Sequence, residues 1–404
     1  MAMDRKLMVR AVALVVGVGA LTAPFAASGK QPKCLIVNTR LDASYATLQA
    51  ANDASSTRAG DKLVVKGTCA GTTTLSKSLS IGGKSNPGFG PATLDGGQAG
   101  SVLIVNSGLQ VDIRDLTVTN GTGSIPANQA LPVGGGIRNY GALTLTNVSV
   151  VGNTARLGGG VWTQGDLTID RSSVTGNTAQ GSGGGIYIPP AFSQPRTSVS
   201  ITDSVVDGNS TAGSGGGIRF DEGGSLAVTR SSISHNFASN GGGGFEASKT
   251  NLTCTDSAFE GNTAGASGGA ILDDGGLHTF NDCQIVGNHA ARGGGIDGWL
   301  STTLVFNGSS IVANNTASDS GGGITKQDGT ITLNDNSSIH DNTATVSGGG
   351  VATAGGGVTL NGHSSIHNNT ATVSGGGIYS NLGALVNCVA GVNVTDNAPD
   401  DIAP

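Results

Sequence analysis

Acids, aromatics and arginines gather at one edge of a repeated phrase, and they are the residues of this chain best suited to chemistry. Asp221 and Glu222, Glu246, Asp273 and Asp274, Asp297 and Asp328 each follow a copy of a glycine-rich tetrapeptide by a few residues. Close carboxylates can act as general acid and base on a glycosidic bond, or can hold Ca²⁺. Asp221, Glu222, Asp273 and Asp274 are therefore the candidate catalytic residues, and Ca²⁺ is the only cofactor the pattern suggests. Arg219 and Arg292 lie near these acids in sequence. The same edge carries both tryptophans and three of the four tyrosines: Tyr140, Trp162, Tyr187, Trp299 and Tyr379. Strand propensity does not explain aromatics confined to one face. Exposed aromatic faces stack on sugar rings, which makes Trp162, Tyr187, Arg219 and Trp299 the candidate ligand-binding residues. Two plainer readings compete. The acids shift by one to three positions between copies, as solvated turn residues do, and the aromatics need only pack on adjoining copies.

The tetrapeptide itself sets the framework. It runs from Gly134–Ile137 to Gly375–Ile378 in ten copies spaced 24 to 32 residues apart. A period of this size means one small unit stacked many times. Within each unit, pairs such as Leu143 and Leu145, Leu167 and Ile169, or Leu304 and Phe306 alternate with polar residues, the signature of a strand with one buried face. A third segment places an apolar residue three positions before an asparagine, as in Val150 and Asn153, Phe259 and Asn262, or Ile311 and Asn314. Three strands and three turns per unit make an all-β, single-stranded right-handed parallel β-helix of roughly twelve coils. Stacking puts like on like, so the residues after the glycines form an inner apolar column. The asparagines form a ladder of amides at a turn, where Asn tolerates a left-handed backbone. His340 and His367 occupy equivalent positions and should stack. No third ligand recurs beside them, so a metal site is not implied. His278 falls either outward or in an inward leucine column.

The remaining segments divide as follows. Residues 1–28 read as a signal peptide, with Arg5, Lys6 and Arg10 before an apolar run and Ala26 and Ser28 at the cleavage site. Residues 29–60 form an N-terminal cap with a short helix over Ser44–Ser55, N-capped by Ser44. Residues 61–133 make irregular first coils, 134–397 the regular repeats and 398–404 a tail. Cys34 and Cys69 are the expected disulfide. Cys254 takes a place where other units put an inward leucine or isoleucine, so a small buried apolar role is favoured for it; the pairing of Cys254, Cys283 and Cys388 is otherwise open. With 69 glycines, 12% charged residues and a net charge of −6, the chain has no basic stripe to attract nucleic acid. After the leader, no apolar run is long enough to span a bilayer.

Phe259-Glu260-Gly261-Asn262 and Gly268-Gly269-Ala270-Ile271 resemble the F-x-x-N and GGA-I repeats of the polymorphic outer-membrane protein family. The other units are variants of these two motifs, and the likeness covers residues 134–397. It implies a pectin-lyase-like β-helix displayed at a bacterial cell surface, often in adhesion. That family ends in a membrane barrel, for which the stretch after Asn397 leaves no room, so a secreted or loosely envelope-associated product is expected.

The expected role is binding of a polysaccharide or cell-surface glycan without catalysis. A polysaccharide lyase or glycoside hydrolase on the acidic edge is the alternative, and a structural spacer the third. The insertion Ile188–Ser198, stiffened by Pro189, Pro190 and Pro195, leaves the coil directly after Tyr187. It points to a site around Trp162, Tyr187, Arg219, Asp221 and Glu222.

Overall fold

Each unit closes into one coil because its apolar residues fall at inward positions and its glycines at the corner where neighbouring coils approach most closely. A computed structural model describes residues 33–404 apart from 126–130, 191–195, 222, 382–385 and 388–392. The signal segment, Glu222, Cys388 and the middle of the proline-rich insertion lie outside the described residues. The rest is a right-handed parallel solenoid of about twelve coils.

Sheet I consists of the strands after the glycines (Ile137–Asn139 and its equivalents), and it counts 13 strands. Its register joins Ile137 to Val161, Val161 to Ile186, Ile186 to Ile218, and so on to Ile378. Every member of that column is fully buried. Sheet II (Ala142–Thr146 and equivalents) aligns Leu143, Leu167, Val199, Leu226 and Leu252. Sheet III (Ser149–Val151 and equivalents) aligns Val150, Val174, Val206, Ile233 and Phe259. Burying one such side chain contributes about 1.5–3 kcal/mol, and each coil buries at least three. A fourth, nine-stranded ladder between the asparagines and the glycines was not legible as a strand. Its segments, most of them only two residues long as in Thr263–Ala264, bury Ala179, Ala238, Ala264, Ala290 and Ala344, too small and too brief to show a period.

The glycine triplets answer to contact as well as to conformation. Gly158 has φ +64°, whereas a Cβ on Gly159 or Gly160 would meet the carbonyl oxygens of Gly184 or Gly185 in the next coil at 2.5 and 2.7 Å.

The asparagine ladder runs continuously inside the turn. Asn262 Nδ2 donates to Asn288 Oδ1 at 3.0 Å, and the same pattern joins Asn153, Asn177, Asn209 and Asn236. Two expectations are corrected here. The residue with left-handed backbone is the one before each ladder asparagine (Gly152, Gly261, His235, Asp341), not the asparagine. In the coil after Asn288, the ladder member is Asn315 and the inward residue Val312, not Asn314 and Ile311. The turn between sheets II and III is one residue longer there, around Gly308 and Ser309. Asn314, at φ +57°, takes the left-handed place.

At the N-terminus, Cys34–Asn38 pairs antiparallel with Ala43–Tyr45 and with the long strand Lys62–Ala70. The helix is shorter than expected, Leu48–Asp53, and Thr47 rather than Ser44 caps it by accepting from the Ala50 amide at 3.1 Å. Ser44 is held in the strand that Tyr45 completes. Lys77 Nζ closes the other end of the helix by donating to the carbonyls of Asn52 and Ala54.

Cys34 and Cys69 are disulfide-bonded, with Cα atoms 4.7 Å apart. Cys254 is also bonded, to Cys283 in the next coil, which corrects the apolar reading. Cys283 stands in a column otherwise filled by Ser172, Ser204, Ser231, Ser257 and Ser310. In that column the backbone amides of Ser172, Ser204, Ser231 and Cys283 donate to the serine hydroxyl of the next coil. Alternation aims Cys254 into the core, and the turn brings Cys283 over it.

Candidate functional site

Alternation along sheet I divides the acidic edge in two. The residue after each column aliphatic points outward: Arg138, Trp162, Tyr187, Arg219, Glu246, Leu272, Asp297, Thr325, Ala352 and Tyr379 share one register. The next residue points inward, and this row includes Asp273, Gly298 and Lys326. Five coils of acids therefore do not make one carboxylate column. Glu246 and Asp297 face out, Asp273 faces the core, and Asp274 is half-buried beside Trp299. Among the described residues, no three His, Cys, Asp or Glu side chains gather as a metal would need.

Asp273 cannot meet a substrate, because it is fully buried. His278, equally buried, resolves its ambiguity by standing in the leucine column between Leu252 and Leu304. His278 Nε2 lies 3.0 Å from Asp273 Oδ2, off a hydrogen-bond line, and Thr302 Oγ1 donates to the same oxygen at 3.2 Å. Lys326 fits inside because Gly298 leaves room; a Cβ there would sit 3.1 Å from Lys326 Cδ. Lys326 Nζ donates to the carbonyls of Leu300 and Asp328.

Burial lowers the Lys326 ammonium to about 8 against the attraction of Asp328, Asp273 and Asp297. The folded state thus favours the neutral amine, and the unfolded chain binds more protons between that value and the ordinary 10.5. Stability should therefore rise as pH climbs through this window, with the full penalty present below it. Lys326→Met is expected to flatten that rise and to stabilise the protein at neutral pH. Urea midpoints of both proteins at neutral pH and at about pH 10 check this.

Two of the predicted ligand-binding aromatics turn out to be packed. Trp162 is fully buried against Val133 and Tyr187, and Tyr140 meets its ring edge-on at 5.1 Å between centroids. It offers no face to a sugar, because the segment holding Val133 covers the outer surface of sheet I there. The Tyr187 hydroxyl donates to Asp221, Arg219 Nε reaches the other Asp221 oxygen at 2.6 Å, and Arg219 also pairs with Glu246. Burial, then Asp221, raises the Tyr187 phenol above its usual range. Tyr187, Asp221 and Arg219 are brought together as expected, but as a chain that satisfies itself.

Trp299 differs: it is 40% exposed, and the Arg292 guanidinium lies 5.7 Å from its ring centre. Beneath them Asp297 is fully buried, and neither of its oxygens has a hydrogen bond of good geometry, although Ser267 and Trp299 approach it. Burial raises its carboxyl above the ordinary value, with Arg292 opposing. His340 and His367 stack as expected, at 5.1 Å and 5°.

A further concave feature lies elsewhere. At the corner between sheets II and III, Asn147, Arg171, Asp203, Arg230, Asp256 and Asp282 recur with left-handed backbone, one per coil, outside the serine column. Two depressions of about 490 and 670 Å³ share Asp203 and Val205 and so form a groove from Ser85 to Gln284. Arg230 forks onto Asp203 at 2.7 and 2.9 Å. Sequence reading passed over this corner, although the recurring phrases Arg171-Ser172, Asp203-Ser204, Arg230-Ser231 and Asp256-Ser257 signal it.

A model of the right handed beta helix region matches residues 184–371, and the Chlamydia polymorphic membrane protein repeat matches residues 171–189 and 363–381. No curated relative and no solved structure matches significantly. Register, handedness and these matches agree that the chain is a right-handed parallel β-helix, with two short stretches similar to the polymorphic membrane protein repeat.

Proposed function

We propose that this is a secreted or surface-exposed adhesin-like protein that binds a polysaccharide or cell-surface glycan without cleaving it. The observation that carries the reading is the axial groove at the corner of sheets II and III. It presents one polar side chain per coil, every ~4.8 Å, a spacing close to the length of one pyranose in an extended chain. Arginine and aspartate alternate from Arg171 to Asp256, with Asn147 before and Asp282 after, so each coil supplies donors or acceptors without a single-sign field. That suits a neutral, hydroxyl-rich polymer. The polymorphic membrane protein repeats support display at the bacterial envelope, and residues 1–28 would serve export. No described helix is long and apolar enough to cross a membrane.

Electrophoresis through gels containing a panel of polysaccharides tests the reading, with product assays for reducing ends and unsaturated sugars. Retardation that Arg230→Ala and Asp256→Ala together abolish, without products, supports it. Absence of retardation across the panel overturns binding, and product formation overturns its non-catalytic character.

A further inference from the structure

The outward column of sheet I has a gap. Between Asp297, covered by Arg292 and Trp299, and the ring of Tyr379, two small residues follow one another, Thr325 and Ala352. The surface sinks there into a depression of about 230 Å³. Turns entering the sheet supply Arg292 and Asp319 to its walls, and turns leaving it supply Gln327. Tyr379 bounds the far end. Among the described residues, the Arg292 guanidinium has no carboxylate at ion-pair distance, the Tyr379 hydroxyl and the Gln327 side-chain amide have no hydrogen-bond partner, and the Gln327 backbone amide donates to Gly298.

From this geometry we infer a second carbohydrate site, for a single terminal pyranose rather than for a running chain. The depression is of monosaccharide scale and is bounded along the axis by Arg292 and Tyr379, which stand in the path of a polymer running along the solenoid axis. The Tyr379 ring offers a flat apolar wall to the C–H face of a sugar. Arg292 and Gln327 donate to ring hydroxyls, and Asp319 and Gln327 accept from them. Arg292 is held over the Trp299 ring, so little rotamer freedom is lost on binding. The choice of a sugar rests on the glycan reading above, but the site is distinct from the corner groove.

Titration calorimetry with methyl pyranosides and with the polysaccharide retained by the groove separates the two. Tyr379→Ala, Arg292→Ala and the space-filling Ala352→Trp should each weaken pyranoside binding about tenfold or more, the scale of one lost specific contact. Polysaccharide retardation, sensitive to Arg230→Ala, should persist in all three. Circular dichroism confirms that the variants fold. If a pyranoside binds equally to the wild type and all three variants, or if no pyranoside binds while the polysaccharide does, the inference fails and the groove reading stands. If a pyranoside binds in the depression and no polysaccharide is retained, the inference stands and the groove reading fails.

Discussion

Replacing His278 by leucine is expected to destabilise the protein by about 3–5 kcal/mol, and adding Asp273→Ala to recover most of that loss. Leucine suits position 278, since Leu252 and Leu304 occupy it in the coils on either side. The cost comes from what stays behind: Asp273 would face the core with one hydrogen bond from Thr302 and the more distant Lys326. An uncompensated buried carboxylate costs far more than its pairing contributes, so removing it along with His278 leaves an apolar coil like its neighbours. Lys326 keeps Asp328 and Asp297 nearby. A double-mutant cycle in urea measures the coupling. If the double variant is no more stable than His278→Leu, the two groups do not act as a unit.

Asn262→Ala should cost about 1–3 kcal/mol. Its amide closes four contacts at once. Oδ1 accepts from the Asn236 backbone amide and Nδ2, each at 3.0 Å, while Nδ2 donates to Asn288 Oδ1 at 3.0 Å and to the Ile233 carbonyl at 2.8 Å. Alanine orphans the two Asn236 donors and the Ile233 carbonyl in the dry interior. Asn288 Oδ1 keeps its bond from the Asn262 amide at 2.9 Å, so the lower ladder should hold. Loss of hydrogen-exchange protection should therefore centre on the coil of Asn236. No measurable change in urea stability would show that the ladder contributes nothing.

The architecture was legible because the repeat states the same instruction ten times. An aliphatic after each glycine triplet and an asparagine at a fixed distance from an inward residue leave only parallel stacking to bury both. Repetition also hid what a single coil decides. Ile311-Val312-Ala313-Asn314-Asn315 contains two overlapping copies of the apolar-x-x-Asn phrase, and only pairing of Val312 with Ile285 selects between them.

What the sequence determined by itself was therefore the coil, its period, its inner columns and the Cys34–Cys69 link, since each rests on local patterning or on like stacking against like. What the tertiary structure decided was sidedness and cover. A shift of one residue along a strand turns a side chain from solvent to core, so Asp273 and Asp297, alike as acids after glycines, face opposite ways. Cover depends on segments without a period: Val133 hides Trp162, while small residues at positions 325 and 352 leave Tyr379 a wall to itself. The Cys254–Cys283 bond belongs with these, because its two ends lie in different columns that only the turn between sheets II and III brings together.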